Sequence, residues 1–131
     1  MKHKSKCVLD ASALMALINN EEGADLVEAH ITGGVMSVIN FTEVLTKMLE
    51  QGIPEKVAMA VLDNFGIELI AFETQHILLV SLLRLKTKQQ GLSLADRVCL
   101  SLGLQLKLPV VTTDKIWAKL NIPGLDVVLA R

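Results

Sequence analysis

The 131-residue chain reads as an α/β protein, a three-layer α/β/α sandwich around a mostly parallel central sheet. Short apolar runs alternate with stretches of helical period from end to end, which is the pattern of successive βα units. The runs are too short to stand alone, so helices must cover the sheet they form on both faces. No linker, repeat or low-complexity segment interrupts the alternation, so residues 1–131 form a single domain long enough to bury one core.

Each element has a local reason. Cys7–Leu9 is a short buried strand, with a helix after it over 13–19. An acidic amphipathic helix over 21–31 stops at Gly33-Gly34, and 35–37 is the second strand. Phe41, Val44, Leu45, Met48 and Leu49 form a helical stripe that ends at Gln51-Gly52. Pro54 suits the first turn of a further helix carrying Val57, Ala58, Val61, Leu62 and Phe65. The next strand spans 67–72. Thr74 is placed to cap a long helix over 75–88, whose last turns hold Arg84, Lys86 and Lys88, the favourable sign for a C-terminus. Ser93 opens an almost wholly apolar helix to Leu106. Val110–Thr112 is a strand, 115–120 a short helix and Val127–Leu129 the last strand.

Composition narrows the class of function. Hydrophobic residues make up 51% and charged residues 21%, which is a globular and not a disordered balance. The mean hydropathy of +0.46 is high for a domain of this size, as a buried sheet or a partner-covered surface would make it. A net charge of −1 gives no overall attraction to nucleic acid, so any such binding must use local basic patches. Cys7 and Cys99 lack the spacing of a disulfide framework or zinc site and read as small buried hydrophobes in a reducing cytoplasm. The start, Lys2-His3-Lys4-Ser5-Lys6, looks like a signal n-region, but Asp10 cuts short the apolar run after it. No apolar run approaches the ~18 residues of a membrane span, so a cytoplasmic location is expected.

Four acids stand where strand or loop gives way to helix: Asp10, Glu43, Asp96 and Asp114. In a parallel sheet, strand ends and helix starts gather at one edge, where residues distant in sequence can meet. Each acid also has a purely structural explanation. Asn40-Phe41-Thr42-Glu43 and Ser93-Leu94-Ala95-Asp96 fit a capping box, and Asp10 and Asp114 fit N-caps. Taken together they point elsewhere. Asp96 lies among Leu94, Val98, Cys99, Leu100 and Leu102, and Asp10 closes an apolar strand, so both carboxylates are poorly solvated. Arg97 is adjacent to Asp96, but neighbours in a helix do not face each other. Carboxylates crowded together call for a counter-charge, and a divalent cation bound through oxygen is the direct one.

The run Val8-Leu9-Asp10-Ala11-Ser12-Ala13-Leu14, then Ser37 and Asn40-Phe41-Thr42-Glu43-Val44, resembles the PIN-domain ribonucleases. So do Leu92-Ser93-Leu94-Ala95-Asp96-Arg97-Val98-Cys99 and Leu108-Pro109-Val110-Val111-Thr112-Thr113-Asp114. The similarity spans essentially the whole chain and is nearest the VapC-type toxins of prokaryotic toxin–antitoxin pairs. It implies strand order 3-2-1-4-5, with Asp10, Glu43, Asp96 and Asp114 around one or two Mg²⁺ or Mn²⁺ ions. It gives Ser12 and Thr113 the part of assisting hydroxyls and Asn40 that of a support for Glu43. It further implies an RNA substrate, a homodimer and a small VapB-like antitoxin whose C-terminal segment crosses the cleft. Some relatives carry one more acid after the last aspartate, where this chain has Lys115-Ile116-Trp117, which suggests a second metal that is weakly held or arrives with the substrate.

Hard oxygen donors without a His or thiolate cluster favour Mg²⁺ or Mn²⁺ over zinc. Such a site suits hydrolysis of a phosphodiester, leaving a 5′-phosphate and a 3′-hydroxyl. His3, His30 and His76 fall away from the acids and are expected to be solvated. Lys2, Lys4 and Lys6, then Arg84, Lys86 and Lys88, form basic clusters, while Arg97, Lys115 and Lys119 are candidates to line the cleft, Arg97 and Lys115 above all as RNA contacts. Aromatic residues are only 3% of the chain, so RNA would be gripped through phosphate and shape and not by a stacking platform. Trp117 suits a core or interface. Met48, Met59 and Leu62 are candidate docking residues, although core burial explains them equally well. A haloacid-dehalogenase-type phosphatase needs a second aspartate where Ser12 stands, and a response-regulator receiver needs an acidic pair that is missing. The rival reading is a PIN-like domain that binds RNA or protein without cutting.

Overall fold

The computed structural model describes residues 7–131. Five strands, β1 (Cys7–Leu9), β2 (Gly34–Ser37), β3 (Glu68–Ile70), β4 (Val110–Thr112) and β5 (Val127–Leu129), form one sheet in the order β3-β2-β1-β4-β5. Every pairing is parallel. The helices are α1 (Ala11–Ile18), α2 (Ala24–Ile31), α3 (Val38–Glu50), α4 (Glu55–Met59), α5 (Val61–Phe65), α6 (Ile77–Lys86) and α7 (Leu94–Leu106). The expected fold class and strand order are those observed.

The strand period of two divides the core into two halves. Val8 pairs in register with Val35 and Val110, and these three face Leu83, Cys99, Leu100 and Trp117. Leu9 pairs with Val111, and with Cys7 and Met36 they face Leu14, Val27, Phe41, Val44 and Met48. Thus α1, α2 and α3 cover one side while α6 and α7 cover the other. Both faces are buried, so the central strands are apolar up to their carboxyl ends, where Ser37 and Thr112 stand. Helix α7 lies close enough to β4 that a Cβ on Gly103 would run into Val110 Cγ2. Glycine is what lets the helix seat there.

Several boundaries differ from expectation for local reasons. Helix α1 begins two residues early because Asp10 itself caps it. Helix α2 begins late because Gly23, at φ 96°, turns the chain first. The helix expected after Pro54 is broken at Ala60 into α4 and α5. Glu73, not Thr74, caps the turn before α6, in a reciprocal box with His76. The largest shift is at α3. Ser37 is its N-cap, so Asn40 is already inside the helix and the capping box ending at Glu43 does not exist.

Candidate active site

The carboxyl ends of β1 and β4 lie side by side, and their pleat decides what points where. Asp10 comes after Leu9 and so shares the parity of Val8; Thr112 shares that of Val110. Both therefore continue onto the α7 side of the sheet, where Thr112 Oγ1 donates to Asp10 Oδ2 at 2.7 Å. Ser12 Oγ stands 2.7 and 2.9 Å from the two oxygens of Asp10 and donates to them. The Ala13 amide donates to Oδ1 at 2.8 Å, which is the N-cap of α1. Each hydroxyl is oriented in turn by the loop after β4. The Asp114 amide donates to Thr112 Oγ1 at 3.0 Å and the Thr113 amide to Ser12 Oγ at 3.1 Å. Two relays thus run from the β4 loop into one carboxylate.

Asp10 is only 5% exposed. Burial pushes its carboxyl up to about 6, the Thr112, Ala13 and Ser12 hydrogen bonds pull against that, and the charge of Asp96 adds to the rise. The acid is therefore well bonded and still electrostatically uncomfortable. A nearby cation would relieve it.

Asp96 occupies the third position of α7 in the expected capping box. Its Oδ2 accepts from the Ser93 amide at 2.9 Å, and its own amide donates to Ser93 Oγ at 3.1 Å. Half of the carboxylate is thereby engaged. Glu43, two turns into α3, is exposed and joins no ion pair among the described residues. Asn40, one turn earlier and 2% exposed, donates through Nδ2 to the Ala95 carbonyl at 3.0 Å. This bond stitches α3 to the first turn of α7. Burial first, then the charges of Asp10, Asp96 and Glu43, push the buried Cys99 thiol well above the ordinary thiol range. Asp114 joins through its backbone, two hydrogen bonds from Asp10, while its Oδ1 caps the turn Lys115–Lys119 by accepting from Ile116.

Among the described residues no three His, Cys, Asp or Glu side chains close around a single point. Mutual repulsion keeps carboxylates apart, and backbone amides hold Asp96 and Asp114. The donor set nevertheless fits a hard divalent cation: all oxygen, anionic, half-satisfied, with the buried Asn40 Oδ1 also lacking a partner.

Other candidates are sorted by the same geometry. Thr113 contributes its amide, whereas the hydroxyl on Asp10 is that of Thr112, a functional residue that sequence reasoning passes over. Strand parity is the signal that could find it. Arg97 Nη1 donates to the Val80 carbonyl on α6 at 3.0 Å, so its guanidinium ties α6 to α7, where a phosphate contact was expected. Lys115 and Lys119 are exposed. His76 Nδ1 accepts from Glu73 and His30 Nδ1 lies 2.9 Å from the Leu26 carbonyl. Trp117 is buried in the α7-side core, and Met48 is core on the other side; Met59 remains exposed. Lys2, Lys4, Lys6 and His3 lie outside the described residues. No helix among those described is long and apolar enough to cross a membrane.

Residues 7–123 match the family model of the PIN domain, and the chain belongs to that family. A search of curated proteins returns no significant sequence match. Among solved structures, a toxin–antitoxin complex from Klebsiella pneumoniae superposes with a TM-score of 0.76 at 23% identity, covering 96% of this chain and 98% of that one. A DNA-bound VapBC from Salmonella typhimurium gives 0.71 at 20% identity, with 96% and 98% covered. VapBC-1 of nontypeable Haemophilus influenzae gives 0.67 at 18%, with 95% and 97% covered.

Proposed function

We propose that this protein is a metal-dependent endoribonuclease and the VapC-type toxin of a toxin–antitoxin pair. The observation that carries the reading is the buried Asp10 carboxylate, held by Ser12 and Thr112 at the edge where a parallel sheet presents its sites, with Asn40 tying the helix of Glu43 to the first turn of the helix of Asp96. Asp10, Glu43, Asp96 and Asp114 would hold Mg²⁺ or Mn²⁺. When bound, that metal would supply Lewis-acid stabilisation of the phosphate and a nucleophile at neutral pH. The chain does the positioning. Ser12 and Thr112 fix the rotamer of Asp10, Asn40 docks the helix of Glu43 on the first turn of the helix of Asp96, and Lys115 offers an exposed cation beside Asp114 for the RNA backbone. Hydrolysis then leaves a 5′-phosphate and a 3′-hydroxyl.

The solved relatives are toxin–antitoxin complexes, which supports a small VapB-like antitoxin as partner; the family resemblance implies that its C-terminal segment lies across the acids and offers them an arginine. The outer face of α6 supports a homodimer. Leu78, Leu82 and Leu85, with Ile77 beside them, recur at helical spacing and lie open; Leu85 is 72% exposed. An isologous contact would bury this stripe twice. Leu78→Glu with Leu85→Lys would then give a monomer by light scattering; an unchanged mass would move the interface elsewhere. A cytoplasmic location accords with both partners.

The deciding experiment uses the purified protein and a labelled RNA. Cleavage is expected with Mn²⁺ or Mg²⁺, none in EDTA and none by Asp10→Asn or Asp96→Asn. Mn²⁺ at about 100 times its Kd should also stabilise the wild type by roughly 2.7 kcal/mol, and Asp10→Asn much less. Full cleavage in EDTA would sink the reading, and RNA binding without cleavage would establish the non-cutting alternative.

A further inference from the structure

A cleft of about 480 Å³ opens beside the acids, between α1 and the C-terminal half of α3. Its volume lies within the roughly 300–1,000 Å³ range of small-ligand sites. Ser12 and Thr113 form its inner end, Lys47 and Glu50 one wall, and Arg131 its far rim. Met15 is the only apolar side chain in a lining otherwise polar or charged, and Asn19 and Gln51 bring two amides. A second depression of about 250 Å³, lined by Thr42, Glu43 and Thr46, shares Lys47 and Glu50 with the first. The two adjoin along Lys47 and Glu50, the second lying on the outer face of α3 beside Glu43.

Lys47 is the residue on which the groove turns. It lies one helical turn beyond Glu43, the spacing that favours an ion pair. No such pair forms; the ion pair among the described residues is that of Arg131 with Glu21, at 3.4 Å. That pair neutralises the cation and anion at the rim, where Arg131 also donates to the Glu22 carbonyl. Lys47 is left exposed and in no ion pair among the described residues, on the stretch of α3 that both depressions share, with Glu50 a turn further on.

We propose that this groove seats the nucleotide next to the scissile phosphodiester, with Lys47 on its phosphate. The base would sit within reach of the Asn19 and Gln51 amides. Lys47 thereby becomes a substrate-binding residue outside the acid set. An apolar peptide segment fits the same space poorly, because a single methionine offers it little to bury against. This inference rests on the ribonuclease reading above.

The test compares the full-length wild type with Lys47→Glu, Lys47→Ala and Asn19→Ala on a short fluorescein-labelled RNA of mixed sequence in Mn²⁺. Loss of a charge-assisted phosphate contact should raise KM roughly tenfold in Lys47→Ala. KM should rise further in Lys47→Glu, with kcat within about twofold and the salt dependence of binding flatter by about one unit of slope. Asn19→Ala should shift the preferred base beside the cut while leaving the salt slope unchanged. If the wild type cuts and the Lys47 variants match it in KM and slope, RNA enters by another route and the inference fails alone. If Lys47→Glu changes only inhibition by the antitoxin, the groove is a protein site and the inference is wrong. If the wild type neither binds nor cuts RNA, the ribonuclease reading falls and takes the groove with it.

Discussion

The two walls of the acidic site are built on opposite plans. On the β1–β4 wall, Asp10 is buried and holds four donor contacts from Ser12, Thr112 and Ala13, backed by two amides of the β4 loop. On the α3 wall, Glu43 and Lys47 are exposed and join no ion pair among the described residues, while Asn40 behind them is fixed. The first wall holds a charge at a defined point at the expense of stability. The second leaves charges free for whatever enters. One site therefore contains a group whose removal should stabilise the fold and a group whose removal should leave the fold untouched.

Asp10→Asn breaks this contrast most severely. Cleavage should fall by more than ~100-fold, since the proposed metal ligand is lost. Stability should move the other way. The folded carboxyl, at about 6, binds its proton more tightly than the unfolded one near 3.8. Its favourable contribution is therefore complete below about pH 4 and is lost as pH rises through about 6. Ionised Asp10 then costs at most roughly 3 kcal/mol at neutral pH, which is the upper limit of what Asn can recover. Thermal melts in EDTA should show the variant's advantage above about pH 7 and little near pH 4. A variant less stable than wild type at pH 8 would mean that Asp10 serves chiefly as a helix cap.

Thr112→Val sharpens the account of the rigid wall. Asp10 loses a donor and the Asp114 amide loses its acceptor, so a penalty of about 1–3 kcal/mol is expected, with Thr112→Ser largely restoring stability. Thr113→Val keeps the amide that bonds Ser12 and should change stability by less than ~1 kcal/mol. Equal penalties at the two positions would show that the hydroxyl relay is unimportant. On the free wall, Glu43→Gln should leave stability within about 0.5 kcal/mol while lowering cleavage at least tenfold. A melting change as large as that of Thr112→Val would contradict the division between the walls.

The smallest effect separates two basic residues. Arg97→Ala should destabilise by about 1–2 kcal/mol through the lost bond to Val80. Lys115→Ala should leave the melt unchanged and weaken RNA binding only, flattening its salt dependence by about one unit. An Arg97 variant as stable as wild type with weaker RNA binding would return that guanidinium to the substrate.

The alternation of short apolar runs with helical stripes is enough to determine the α/β layering, because strands buried on both faces must be apolar throughout. The Ser93–Asp96 box and the caps at Asp10 and Asp114 are legible too, since capping joins residues two or three apart. The pairing of Asp10 with Thr112, chosen over Thr113, is not. It depends on β1 and β4 lying adjacent with Val8 level with Val110, a relation between segments about a hundred residues apart. The start of α3 is equally hidden, because Ser37 and Asn40 are both good caps and the choice is made by β2 ending at Ser37 against β3. Sequence adjacency sets Arg97 beside Asp96, whereas its partner, Val80, is on another helix. Local hydrogen bonding and hydrophobic period are written in the chain; which side chains face one another across the sheet edge is decided by strand register and helix docking, the terms that couple distant residues.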